Sequence, residues 1–128
     1  MTREVRNWST PLKTDSKFCL TTGKFTNIVS EVQGHSDGSS TNRLNPAWAE
    51  TLMGWPIGWT NASVPVTCAF PGFPKGQGDE QHDYEPSRTI HKDHCTNRAK
   101  RIAMIGNGVV PQEAALAFTH LLNGNKSK

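Results

Sequence analysis

Eleven glycines and eight prolines punctuate these 128 residues, so the chain is built from short elements joined by turns and irregular loop. Only 34% of it is AVILMFWYC, below the roughly 45–50% (glycine counted) of an ordinary globular domain. A large buried core is therefore excluded, and the fold is expected to be marginal alone or completed by a partner. The length fits one domain, 1–128. No apolar run approaches the roughly 18 residues that cross a membrane, and Met1-Thr2-Arg3-Glu4 opens without an apolar signal stretch. The expectation is a soluble, cytoplasmic protein with no membrane contact. Cys19, Cys68 and Cys95 suit free thiols better than a disulfide framework.

The fold class expected is α+β: a small, irregular, loop-rich domain of short hairpin or edge strands with two to three short helices. Trp8-Ser9-Thr10-Pro11 reads as extended or turn. Phe18-Cys19-Leu20 and Phe25 to Val29 flank Thr22-Gly23 as a hairpin, and Gly34 to Ser40 is loop by composition. Asn45 caps a helix with Pro46 at its first position. Trp48, Leu52 and Met53 form its apolar face, and Gly54 and Pro56 stop it. Ser63 to Phe70 alternates as an edge strand. Residues 71–85 read as a flexible acidic loop carrying Asp79, Glu80, Asp83 and Glu85. Thr96 or Asn97 starts a helix closed by Gly106. A last helix runs from Pro111 to Gly124, apolar enough to require burial on more than one side, and 124–128 is a fraying tail.

Several groups are candidates for chemistry. The net charge of +3, from 14 Lys+Arg against 11 Asp+Glu, permits nucleic-acid contact without requiring it. Its basic stretch offers Arg88, Lys92, Arg98, Lys100 and Arg101 to phosphates. Trp8, Trp48, Trp55 and Trp59 are base-stacking groups or, on composition, the apolar mass of a small core. His91, His94 and Cys95, with His82 and Asp83 nearby, are zinc-competent types. Their spacing matches no pair-plus-pair pattern, and solvated loop histidines fit better. The His94-Cys95 pair is a poor nucleophile–base arrangement, because sequence neighbours seldom align for proton transfer. Free amides of the Gly106-Asn107-Gly108 turn could face an anion, although a C-cap accounts for the same residues.

Two segments carry a resemblance. Leu44 to Thr60, LNPAWAETLMGWPIGWT, resembles the ninth sequence block of phage-type cytosine-5 DNA methyltransferases. Arg101 to Ala117, RIAMIGNGVVPQEAALA, resembles their tenth block. Pro86-Ser87-Arg88 with Asn97-Arg98 is similar to the usual lead-in, and Trp8-Ser9-Thr10-Pro11 to an upstream WPTP stretch. The resemblance implies that Leu52, Met53, Gly54, Trp55, Pro56 and Trp59 are structural. It makes Gly106, Asn107, Gly108 and Val109 a vestigial cofactor-side turn, with Asn107 pinning a neighbouring loop and the helix from Pro111 packing on a cofactor-binding sheet. The residues from Asn61 to Glu85 match no block.

The catalytic parts of that family are missing from this sequence. None of the cysteines follows proline, since their predecessors are Phe18, Thr67 and His94. There is no Glu-Asn pair and no FxGxG. Methyl transfer needs nucleophile, acid and cofactor cradle together. The expectation is a non-catalytic phage or prophage protein, either recognising DNA or complementing a cytosine-5 methyltransferase catalytic chain, with a homodimer as a further arrangement. S-adenosylmethionine would be bound only if a partner chain completed the site. The alternative is an inhibitor of a host nuclease defence, of anti-CRISPR or anti-restriction type, that binds a nucleic-acid-processing protein.

Overall fold

A capped turn of helix organises the molecule. The computed structural model describes residues 7–16, 28–33, 42–66 and 69–124. Asn45 sits in extended backbone, and its Oδ1 accepts from the Ala47 amide at 3.1 Å, with Pro46 at the first helical position. Helix α2 (Pro46–Leu52) therefore begins where the sequence places it. The same Asn45 donates from Nδ2 to the Ser87 carbonyl at 2.8 Å, and its amide donates to Arg88 O. That clamp brings strand β1 (Asn42–Leu44) alongside strand β2 (Thr89–His91), antiparallel, with Arg43 opposite Ile90. Gly54 ends the helix at φ +75, and a Cβ there would lie 2.5 Å from Gln112 Oε1.

The other described helices are α1 (Ile28–Gln33), α3 (Arg98–Gly106) and α4 (Pro111–Gly124), with a 3-10 turn at Lys13–Ser16. The core is small: Ile28 and Val29 of α1, Leu44 of β1, Trp48 and Ala49 of α2, Met53, and Ile102 and Ile105 of α3. Trp8 lies edge-on to Trp48 at 5.0 Å, and the Arg88 guanidinium covers Trp8 at 5.0 Å. The 3-10 turn packs on α3. Asp15 closes that turn by accepting from the Leu12 amide at 2.6 Å. Burial raises its carboxyl above the usual aspartate range, and the charge of Glu31 adds to that, against the Leu12 bond. This is a small, loop-rich α+β domain built on a two-stranded sheet. No helix among the described residues is long and apolar enough to cross a membrane.

Several sequence expectations are corrected here. Among the described residues the expected short helices are present, α1 being only a turn and a half long. Ile28 and Val29, assigned to the second arm of a hairpin, are helical; the first arm and the turn lie outside the described residues. Residues 63–66 form no strand. Val64 and Val66 are exposed, and the backbone turns back from Val64 N to Asn61 O, leaving the alternation no partner edge. Thr67 and Cys68 lie outside the described residues, as do Gly34 to Ser40 and 125–128. In the acidic loop Glu80 and Asp83 are exposed, whereas Glu85 is half-buried. Glu85 turns inward and accepts from the amides of Lys75 at 2.8 Å and His82 at 2.9 Å, while Tyr84 Oη donates to Phe73 O.

Candidate functional site

The only charge in Pro46–Leu52 is Glu50, and it is fully buried. A bare carboxylate there would be prohibitively costly, so the chain surrounds it with donors. The turn after α2 folds back so that Gly58 N donates to Oε2 at 2.6 Å and Thr60 N to Oε1 at 2.8 Å. Thr60 Oγ1 donates to Oε1 as well. From α3, Arg101 Nη2 reaches Oε1 at 3.1 Å, and its Nε donates to Thr60 Oγ1 at 3.0 Å. Glu50, Thr60 and Arg101 thus lock the helix, the following turn and α3 into one brace. Trp55 adds a second tie, its Nε1 donating to Val109 O at 3.1 Å.

This brace joins the two segments that carry the family resemblance, which lie some forty residues apart in sequence. It also corrects the basic-contact expectation. Arg101 is buried at 9% exposure and is spent on Glu50 and Thr60, so it is not offered to phosphate. Arg88 is half-buried, stacked over Trp8 and donating to Asp79 O at 3.1 Å. Lys92 and Lys100 are exposed. Arg98 is partly buried at the start of α3, and burial together with the charge of Arg43 lowers it from the ordinary arginine value. Arg43, not singled out from sequence, therefore belongs to the same basic surface. An open cleft of about 250 Å³ beside the brace is lined by Thr60, Asn61, Asn97, Lys100, Arg101 and Met104. Trp48 is core and Trp8 and Trp55 pack against it, which leaves Trp59, 59% exposed, as the free-standing indole next to Thr60.

The glycine turn does not form an anion cradle in this chain. The amides of Asn107 and Gly108 donate back to the carbonyls of Ala103 and Ile105, capping α3. A Cβ on Gly106 would lie 2.1 Å from the Lys13 amide nitrogen, and one on Gly108 2.3 Å from the Trp55 ring. Both glycines are explained by close approach of neighbours. Gly106–Val109 therefore does not fit S-adenosylmethionine by itself, because its amides are turned inward and the space over Gly108 is filled by indole. Asn107 and Val109 are exposed.

The histidine-rich stretch does not converge either. His91 and His94 rings lie 5.0 Å apart, His91 Nδ1 faces Asp93 Oδ2 at 3.5 Å, and His82 stacks on Tyr84. Cys95 Sγ instead lies 3.6 Å from Arg101 Nη1. Among the described residues no three His, Cys, Asp or Glu side chains are placed to hold a metal. Glu50 and Thr60 were missed by sequence reasoning; the signal was a lone charge inside an otherwise uncharged helix flanked by apolar residues. No protein family, curated protein or solved structure matches this chain.

Proposed function

We propose that the chain is a non-catalytic DNA-recognition protein carrying the C-terminal brace of a phage-type cytosine-5 DNA methyltransferase. The observation that supports this is the Glu50–Thr60–Arg101 lock, which makes the ninth-block-like and tenth-block-like segments one structural unit. Beside it lie Arg43, Arg98 and Lys100, with Lys92 at the end of β2 and the exposed ring of Trp59. Four cations and one aromatic ring suit backbone contact with limited base stacking. Binding of a labelled duplex, followed by anisotropy across a salt series, tests the reading. If all four cations meet phosphates, the slope of log affinity against log salt is about −3.6. A salt-independent signal, or none, refutes it. Enrichment of a nuclease from host lysate in its place would point to the inhibitor alternative.

A second reading, complementation of a catalytic chain, draws support from α4, whose residues are exposed almost throughout. Mixing this protein with a phage-type cytosine-5 methyltransferase truncated before its ninth block would then restore methyl transfer to DNA. On its own the protein transfers no labelled methyl group under either reading.

A further inference from the structure

Helix α4 has no buried residue, yet Phe118, Leu121 and Leu122 are each about two-thirds exposed. At 3.6 residues per turn, Ala114, Ala115, Phe118, Leu121 and Leu122 fall within one arc of about 120°. Leu116 lies on the opposite side among Gln112, Thr119 and Asn123. The apolar arc is graded along its length: its N-terminal half is alanine and its C-terminal half is bulky. At the small end, Ala114 and Ala117 form one wall of a cleft of about 360 Å³ whose other lining includes Met53 and Val110.

A face that is small at one end and large at the other is complementary to itself when reversed. We infer that α4 pairs with α4 of a second copy, antiparallel about a two-fold axis at Phe118. That axis sets Phe118 against its own copy, Ala114 against Leu122, and Ala115 against Leu121. Each bulky half then enters the small-residue half and cleft of the other copy, the self-complementary arrangement a two-fold interface requires. Antiparallel pairing also opposes the helix dipoles favourably. Side chains of this size present roughly 100–150 Å² each at such exposure. With the alanines and the cleft wall added, complete burial on both copies removes roughly 1,000 Å², at the lower edge of a specific interface. An interface of this size marks a weak dimer, and a concentration series reads how weak. The pairing does not depend on the DNA-recognition reading.

Sedimentation equilibrium over a concentration series tests the pairing directly. The protein dimerises, Phe118→Glu leaves it monomeric at every concentration with its circular dichroism unchanged, and Leu116→Glu dimerises as the parent does. Geometry is read from cross-linking in a background with Cys19, Cys68 and Cys95 replaced by serine. Phe118→Cys forms a disulfide dimer under mild oxidation and Ala114→Cys does not. A parent that stays monomeric throughout overturns the inference, as it would if a catalytic chain were the true occupant. So does loss of the dimer in Leu116→Glu, or cross-linking of Ala114→Cys as fast as Phe118→Cys.

Discussion

Replacing Arg101 with methionine isolates the brace. The substitution preserves the apolar stem and removes the bonds to Glu50 Oε1 and Thr60 Oγ1. Glu50 is then a buried carboxylate without its cation, a change that costs about 3–5 kcal/mol when a buried pair is broken from one side. The amides of Gly58 and Thr60 and the Thr60 hydroxyl still point at it, which places the loss at the lower end, about 3 kcal/mol. For a chain of this length each kcal/mol moves the melting temperature by about 3–5 °C, so a drop of about 9–15 °C is expected by calorimetry. Lysine at 101 does not rescue, because an ammonium cannot reproduce the fork that meets Glu50 and Thr60 together. Combining Arg101→Met with Glu50→Gln recovers part of the loss, since the amide oxygen still accepts while the buried charge is gone. Lys100→Met, on the exposed neighbour, stays within about 0.5 kcal/mol of the parent. A melting temperature for Arg101→Met within about 2 °C of the parent would refute the brace as a stabilising element.

Gly106→Ala gains helix propensity of about 1 kcal/mol but drives a methyl into the Leu12–Lys13 backbone. The clash wins, and the urea midpoint falls by the equivalent of about 1–3 kcal/mol net. Partial burial pushes the Glu85 carboxyl up, but bonds from the His82 and Lys75 amides and Gln81 outweigh it and leave the group below its usual range. The Trp48 indole adds to that without reaching hydrogen-bonding geometry. Glu85 therefore stabilises the fold above the ordinary carboxylate pKa and loses that contribution as pH falls through its lowered value. Glu85→Gln should flatten the acid limb of a melting-temperature profile. Asp15 has the opposite sign: its contribution is present at low pH and is lost as pH rises through its raised value. Asp15→Asn, which keeps an oxygen for the Leu12 amide, is expected to be at least as stable as the parent at neutral pH in the same assay.

What could be read from the sequence was what local chemistry decides. Asn45, Pro46, Gly54 and Pro111 act on their immediate neighbours, so α2 and α4 begin and end as expected. Asn97 precedes α3 as expected, but in left-handed backbone, which asparagine tolerates, and with no side-chain cap bond. The β1–β2 pairing was not legible, since three-residue strands forty-odd positions apart leave no periodicity and are joined through the Asn45 clamp. The apolar content of α4 was legible, but the burial expected on more than one side is overturned: the helix has no buried residue, because the described residues set no second layer against it. The charges misled for a related reason. Arg101 and Lys100 are adjacent and alike in composition, and only the fold turns one onto a buried glutamate.

That internal cancellation sharpens the final prediction. Arg101 is committed to Glu50 and Arg88 to Trp8 and Asp79, and Arg43 and Arg98 also donate to the carbonyls of Asn42 and Leu44. At most four cations, Arg43 and Arg98 with Lys92 and Lys100, therefore meet DNA, too few for one copy to bind tightly at physiological salt. Pairing through α4 would place two such surfaces on one duplex, and the second contact becomes intramolecular. The salt slope of the dimer should then approach about −7, against about −3.6 for one copy. Phe118→Glu, which alters no cation on that surface, should halve the slope and weaken binding by more than tenfold, while Leu116→Glu, adding the same charge to the opposite side of the helix, changes neither. Equal effects of the two substitutions would mean that the introduced carboxylate repels DNA directly, and the link between pairing and recognition would be lost. If both variants bind as the parent does, DNA is held by single copies and the helix serves some other contact.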